Sequence, residues 1–308
     1  MNPFDETPPN EPGPGSEAPS QQEEPAPGPL SMPENAPSWI AEAYPPALPA
    51  VPAYPADLAI TWSWVHFILF VFFGFVSLVI VQGLMLMYYA PHQKLSSSDL
   101  EKYMFSKPQI AIGSMLIWYA ILFFFLYITL SVLRGHSFWE CLGWRKIKTN
   151  PGEKRRNPLT YFIWGCGLSF FVAMLSAQMK QPDNIPMEEL FKYRQTALLF
   201  MAMAVFVAPI VEETLFRGYL YPLFARSFGI APGILLTGVL FGLMHGAQLG
   251  WTWSLVGMLI LVGIIFTTVR ARTGSVFASY LMHLGYNSLI SFFAILGTHG
   301  FTKLPTDH

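Results

Sequence analysis

The chain has 308 residues, of which 53% are apolar, 16% aromatic and only 12% charged, and its mean hydropathy is +0.40. Soluble domains carry about a quarter charged residues, so this composition excludes a soluble globular protein and indicates an integral membrane protein. A formal net charge of −1 provides no basic footprint for a nucleic-acid partner, and two cysteines, Cys141 and Cys166, exclude a disulfide scaffold and read as core thiols.

Residues 1–57 contain no Lys or Arg, nine Asp or Glu and 16 of the 26 prolines. Such a segment cannot bury a core and is expected to be a disordered acidic tail with local polyproline character. It is not a signal peptide, because it has neither a basic n-region nor an apolar h-region.

An apolar stretch needs about 20 residues to cross the hydrocarbon layer. Seven are read: 59–89, 109–133, 158–178, 196–222, 231–248, 252–270 and 274–296. The fifth is short and carries Gly238 and Gly242, residues that permit close helix packing in lipid. The fold class expected is therefore an all-α polytopic bundle of about seven spans. Three spans and a basic loop make up 58–195, a functional core covers 196–296, and a tail covers 297–308.

The 134–157 connection holds seven Lys or Arg. The bias of such residues toward the cytoplasm places this loop inside, together with Arg226, Arg270 and Arg272, and leaves the uncharged 246–251 turn outside. Within the loop, Ser137 to Trp144 reads as a short interfacial helix whose Trp residues sit at headgroup level. Trp62, Trp64, Trp251 and Trp253 extend the same belt, and His66, His92, His136 and His299 read as interfacial or loop residues. Ser96-Ser97-Ser98 begins a short surface helix with no function assigned.

The fourth span contains Glu212, Glu213 and Arg217. A charged side chain at the centre of a spanning helix costs roughly 2.5–3.5 kcal/mol, so a cluster of three marks a functional site or a structural ion network. Glu213 and Arg217 are i,i+4 with the acid first, the favourable order for a pair. Glu212 lies about 100° around the helix without an in-helix cation, which leaves it for general acid–base work. His245 closes the fifth span, and His283 and Asn287 lie i,i+4 on the last. By helical rise Glu212, His245 and His283 fall roughly 12–22 Å from the nearest loop, a common depth at which they can meet. One Glu, two His and one Asn in a wet pocket supply a base for water and donors for an oxyanion, the parts amide hydrolysis requires.

These residues carry a resemblance. Glu212-Glu213…Arg217, Phe241…His245 and His283…Asn287 match, in order, the EExxxR, FxxxH and HxxxN signatures of the CPBP family of intramembrane proteases, which includes the type II CAAX prenyl endopeptidases and relatives linked to bacteriocin immunity. The flanks 208–210 and 274–281 also look like the family, and the resemblance covers about 196–296. It implies a conical membrane bundle with its cavity open to the cytosolic side, and hydrolysis of a membrane or membrane-anchored peptide or protein. By analogy Glu212 and His245 activate water, His283 and Asn287 stabilise the oxyanion, and Glu213 and Arg217 support the site.

The family has been described both as metalloproteases and as metal-independent glutamate proteases. No HExxH is present, which favours a reading without a cofactor. Glu212, His245 and His283 remain a formal His₂Glu zinc set with one open position. Two non-proteolytic readings stand beside these: a membrane scaffold that holds a peptide in the polar cavity, and a transporter using Glu212 for protons. No inverted repeat with broken helices supports the transporter. The location expected is a multi-pass position in the bilayer, the plasma membrane in a prokaryote.

Overall fold

The computed structural model describes residues 56–89, 99, 103, 107–147, 157–179 and 191–302. The acidic tail up to residue 55, the Ser96-Ser97-Ser98 connection, His92, residues 148–156 of the basic loop and residues 303–308 lie outside the described residues.

Every regular element described is helical. After a 3₁₀ turn at Ala56–Leu58, α1 spans Trp64–Tyr89 and α2 spans Pro108–Leu126, continued as a π-helical stretch through Tyr127–Val132. A four-residue helix, α3, covers Phe138–Cys141. Helix α4, Pro158–Ser176, starts sharply because Asn157 Oδ1 accepts from the Leu159 amide and Pro158 is pre-set for the first turn. One nearly continuous rod follows: α5 (Arg194–Phe206), α6 (Ala208–Glu212), a π-helical segment (Glu213–Leu220) and α7 (Tyr221–Phe228). Its break at Val207 precedes Pro209, which lacks the N–H an α-helix needs there. Helices α8 (Ile230–Met244), α9 (Trp253–Thr273) and α10 (Val276–Gly297) complete the chain, with Gly274 ending α9 at φ +64°.

Six of these helices are long and apolar enough to cross a membrane, with the α5–α7 rod counted as one, and the chain is an integral multi-pass membrane protein. The seventh expected span is shorter than read: α8 has 15 residues and stops at Met244. It fits by packing on α9 through glycine, since a Cβ on Gly238 or Gly242 would collide with Ile264 or Ile260. Helices α4 and α10 approach in the same way, Gly165 against the Met282 carbonyl and Gly285 against the Phe162 carbonyl. In lipid, helix association rests on close van der Waals contact rather than on burial from water.

The alternation of spans divides the bundle into two ends. At one end Arg270 Nη1 binds Asp57 Oδ2 at 2.9 Å, Arg226 donates to the Ile60 carbonyl at 3.1 Å, and the Val276 amide donates to the Gly143 carbonyl at 2.9 Å. This basic end also carries Arg134, Lys146 and Arg272. At the other end Arg194 donates to the Gly300 carbonyl at 3.0 Å, and Phe191 stacks on Phe301.

The expected interfacial helix is only partly so. Trp139 is exposed, but Phe138, Leu142 and Gly143 are buried, and Trp144 turns inward to donate to Thr214 Oγ1 at 3.0 Å. Trp62 is likewise buried, its indole donating to the Tyr219 carbonyl at 3.2 Å. His66 is not interfacial: it is buried between Tyr219 Oη at 2.7 Å and Thr129 Oγ1 at 2.9 Å. His136 and His299 are exposed, and so are Trp64, Trp251 and Trp253.

Candidate active site

The site is built where the rod changes from α to π winding. Glu212 ends α6 and Glu213 opens the π segment, so the two carboxylates leave the rod in different directions. Glu213 is fully buried, and its Oε1 accepts from Arg217 Nη1 at 2.9 Å and from His283 Nδ1 at 2.9 Å. Arg217 is equally buried. Its Nη2 donates to the Gly263 carbonyl at 3.0 Å and its Nε to Thr267 Oγ1 at 3.3 Å, while the guanidinium lies 4.4 Å from the Phe241 ring centroid. Three acceptors and an aromatic face therefore surround one guanidinium, the pattern that makes a charge tolerable in low dielectric.

Glu212 faces the opposite way and is 18% exposed. Its Oε2 lies 3.7 Å from His283 Nε2 and its Oε1 lies 3.9 Å from His245 Nε2. Each imidazole is fixed from behind. The Phe241 carbonyl can only accept, so His245 Nδ1, at 2.8 Å, donates to it. The Glu213 carboxylate imposes the same orientation on His283. Both Nε2 atoms are thereby aimed at Glu212, at separations too long for direct hydrogen bonds, and a water beside either pair can contact both of its members.

His245 does not lie deep along a span as expected; it is the C-cap of the short α8. It reaches the common level because the 245–252 turn is closed tightly beside it. The Trp251 amide donates to the Gly246 carbonyl at 2.7 Å, and Trp251 adopts φ +54°, a strained value for so bulky a residue. Asn287 sits one turn beyond His283, and its Nδ2 donates to the Ala204 carbonyl at 2.7 Å, just before the break in the rod. One amide N–H of Asn287 is thus committed to backbone and the other is left for a ligand.

Glu212, His245, His283 and Asn287 all line one cavity of about 400 Å³. The remaining wall is mostly apolar, with Met115, Val172, Met203, Met258, Val262 and Ile290 among its members. The cavity extends from Glu212 toward the end of the bundle that carries Phe191, Leu249 and Ala294, away from the basic end. A cytoplasmic basic loop and a cavity open to the cytosol therefore cannot both hold.

Several residues of the site carry no sequence signal of their own. Tyr119, on α2, and Tyr286 line the cavity, and Thr267 and Gly263 hold Arg217. Ser291 was detectable, because it continues the i,i+4 stripe of His283 and Asn287 along α10 into the same cavity.

Among the described residues no group of three His, Cys, Asp or Glu side chains is placed to hold a metal ion. Ligands on a tetrahedral zinc at about 2.0–2.1 Å stand about 3.3 Å apart, whereas the Glu212–imidazole separations are 3.7 and 3.9 Å. The donor set does not fit zinc as it stands.

Residues 194–289 match the family model described as type II CAAX prenyl endopeptidase Rce1-like. No curated protein and no solved structure matches. The chain thus carries an Rce1-like domain of the CPBP intramembrane protease family from α5 to α10, and α1 to α4 lie outside the match.

Proposed function

We propose that this protein is an intramembrane endopeptidase that hydrolyses a peptide bond of a membrane or membrane-anchored substrate with water activated by Glu212 and His245. The observation that carries the reading is the aim of two back-bonded imidazoles at one part-exposed carboxylate in the wall of an apolar cavity. Water held between Glu212 and His245 Nε2 loses a proton to Glu212 as its oxygen attacks the scissile carbonyl carbon. The developing oxyanion takes a hydrogen bond from the uncommitted N–H of Asn287 and from His283 Nε2. Donation from that nitrogen requires the imidazolium form of His283, whose charge Glu213 shares through Nδ1. Collapse of the tetrahedral intermediate breaks the C–N bond, and Glu212 returns the proton to the leaving amine. No step uses a metal.

The test is cleavage of a pooled membrane-peptide library by the detergent-solubilised full chain, read by mass spectrometry. Glu212→Gln and His245→Ala are expected to lower product formation by about 10²–10⁴-fold, and chelator is expected to leave the wild-type rate unchanged. Cleavage by Glu212→Gln at the wild-type rate would overturn the reading, and loss of activity in chelator would return the zinc mechanism.

A further inference from the structure

Helix α2 lies outside the residues that match the protease family, yet it sends Met115 and Tyr119, one turn apart, into the wall of the cavity that holds Glu212. Tyr119 is only 8% exposed, and it is near enough to Glu212 for the two to interact electrostatically. Its ring meets Trp118, but among the described residues no hydrogen bond forms at its hydroxyl. The unpaired side-chain polar atoms sealed from solvent among the described residues belong to Gln82, Thr196, Glu213 and Arg270. Tyr119 Oη is unpaired without being sealed, and the space that reaches it is the cavity. The rod leaves that space open, because Ala204 and Ala208, two turns and one turn before Glu212, are the small residues that line it. Tyr286 lines the same cavity, but its ring is packed in the apolar cluster of Val262, Phe266 and Met282. A buried phenol normally finds a hydrogen-bond partner, so one left open on a cavity is a group that a ligand completes.

Resting on the protease reading, we propose that Tyr119 is a substrate-binding residue of the active site, its hydroxyl donating to a main-chain carbonyl of the bound peptide beside the scissile bond. The chemistry of the open group selects this partner. A phenol O–H brings one proton, and the acceptor that every apolar peptide carries is its main-chain carbonyl. An extended peptide advances about 3.3 Å per residue, so a single chain lying on the Ala204–Ala208 face meets Tyr119 and Glu212 at once. Asn287 and His283, on α10, serve the reacting carbonyl; Tyr119 holds a neighbouring one from α2. That carbonyl does not react, so its hydrogen bond is the same in substrate and transition state and acts on binding rather than on the chemical step. The first spans then supply part of the substrate site and do not only support the matched domain.

The experiment reads binding without turnover, so failure of this proposal and failure of the protease reading remain distinct. Full-length Glu212→Gln, with Tyr119 intact or as Tyr119→Phe, is immobilised in detergent and equilibrated with the pooled membrane-peptide library, and retained peptides are quantified by mass spectrometry. Tyr119→Phe is expected to lower retention by about 3–10-fold, the worth of one neutral hydrogen bond. In a retained peptide, trans-alkene replacement of the peptide groups one at a time is expected to find one position where the form with Tyr119 loses that factor and the Tyr119→Phe form loses nothing. Since the hydroxyl makes no bond in the free protein, Tyr119→Phe is expected to leave the SDS unfolding midpoint unchanged, whereas a structural hydroxyl would move it. For a peptide that the wild type cleaves, KM is expected to rise by the same factor with kcat unchanged. Equal retention by the two forms, no retention by either, a lowered midpoint, or a fall in kcat at unchanged KM would overturn the proposal.

Discussion

Glu212 and Glu213 are neighbours in the chain and belong to two regions with opposite physics. On the Glu213 side the groups are buried and paired: Arg217 and His283 both bind Glu213 Oε1, Thr267 and the Gly263 carbonyl accept from Arg217, and Phe241 and Phe266 cover the guanidinium, with Glu213 Oε2 alone left without a hydrogen-bond partner. On the Glu212 side the contacts are long, the carboxylate is part-exposed, and a cavity begins. The difference teaches how a membrane protein carries acid–base chemistry inside an apolar helix. One carboxylate is spent on a sealed ion network that fixes geometry, so that the next one along can be left under-coordinated.

The largest expected effect tests that division directly. Removing one partner of a buried pair strands the other, at a cost of about 3–5 kcal/mol. Glu213→Ala and Arg217→Leu are therefore expected to lose that much unfolding free energy in an SDS titration, whereas Glu212→Gln is expected to lose less than about 0.5 kcal/mol. Equal losses in all three variants would erase the distinction and make the cluster a single structural network.

Part of this was legible from sequence, and the reason is local geometry. Helical spacing alone puts Glu213 and Arg217 on one face and His283 and Asn287 on another, and the structure shows both relations. Hydropathy located the spans, apart from the early stop of α8, which depends on the Trp251–Gly246 closure. What stayed hidden depends on pairing across the chain. The π winding after Glu212 leaves the Tyr219 carbonyl and hydroxyl to be met by Trp62 and His66, more than 150 residues away. Both therefore read as interfacial residues and are core residues instead. The side on which the cavity opens was hidden for the same reason, because it depends on which ends of six helices diverge.

An intermediate effect probes the wall that places His283. Gly285 lies against the Phe162 carbonyl with no room for a Cβ, one turn from Gly165 against Met282 on the facing helix. Gly285→Ala is expected to cost about 1–3 kcal/mol by overpacking and to push α10 outward, carrying His283 and Asn287 away from Glu212. Activity should therefore fall more than stability does, and a variant that unfolds earlier yet cleaves at the wild-type rate would separate the α4–α10 contact from the site.

The smallest effect is the most diagnostic of how the closed side is held. Tyr219 lies in the π segment two residues after Arg217; its ring stacks on Trp62 with centroids 5.2 Å apart, and its hydroxyl meets His66 Nδ1 at 2.7 Å. Tyr219→Phe keeps the stacking and removes only the hydrogen bond, a change of about 1 kcal/mol. His66→Ala removes the same bond together with the one to Thr129 and some packing. If the bond acts as a unit, the double variant loses less than the sum of the singles by roughly 0.5–1 kcal/mol in a double-mutant cycle. Additivity would mean that α1 covers the π segment by packing alone, and that the closed side owes its order to the ion network without help from the first span.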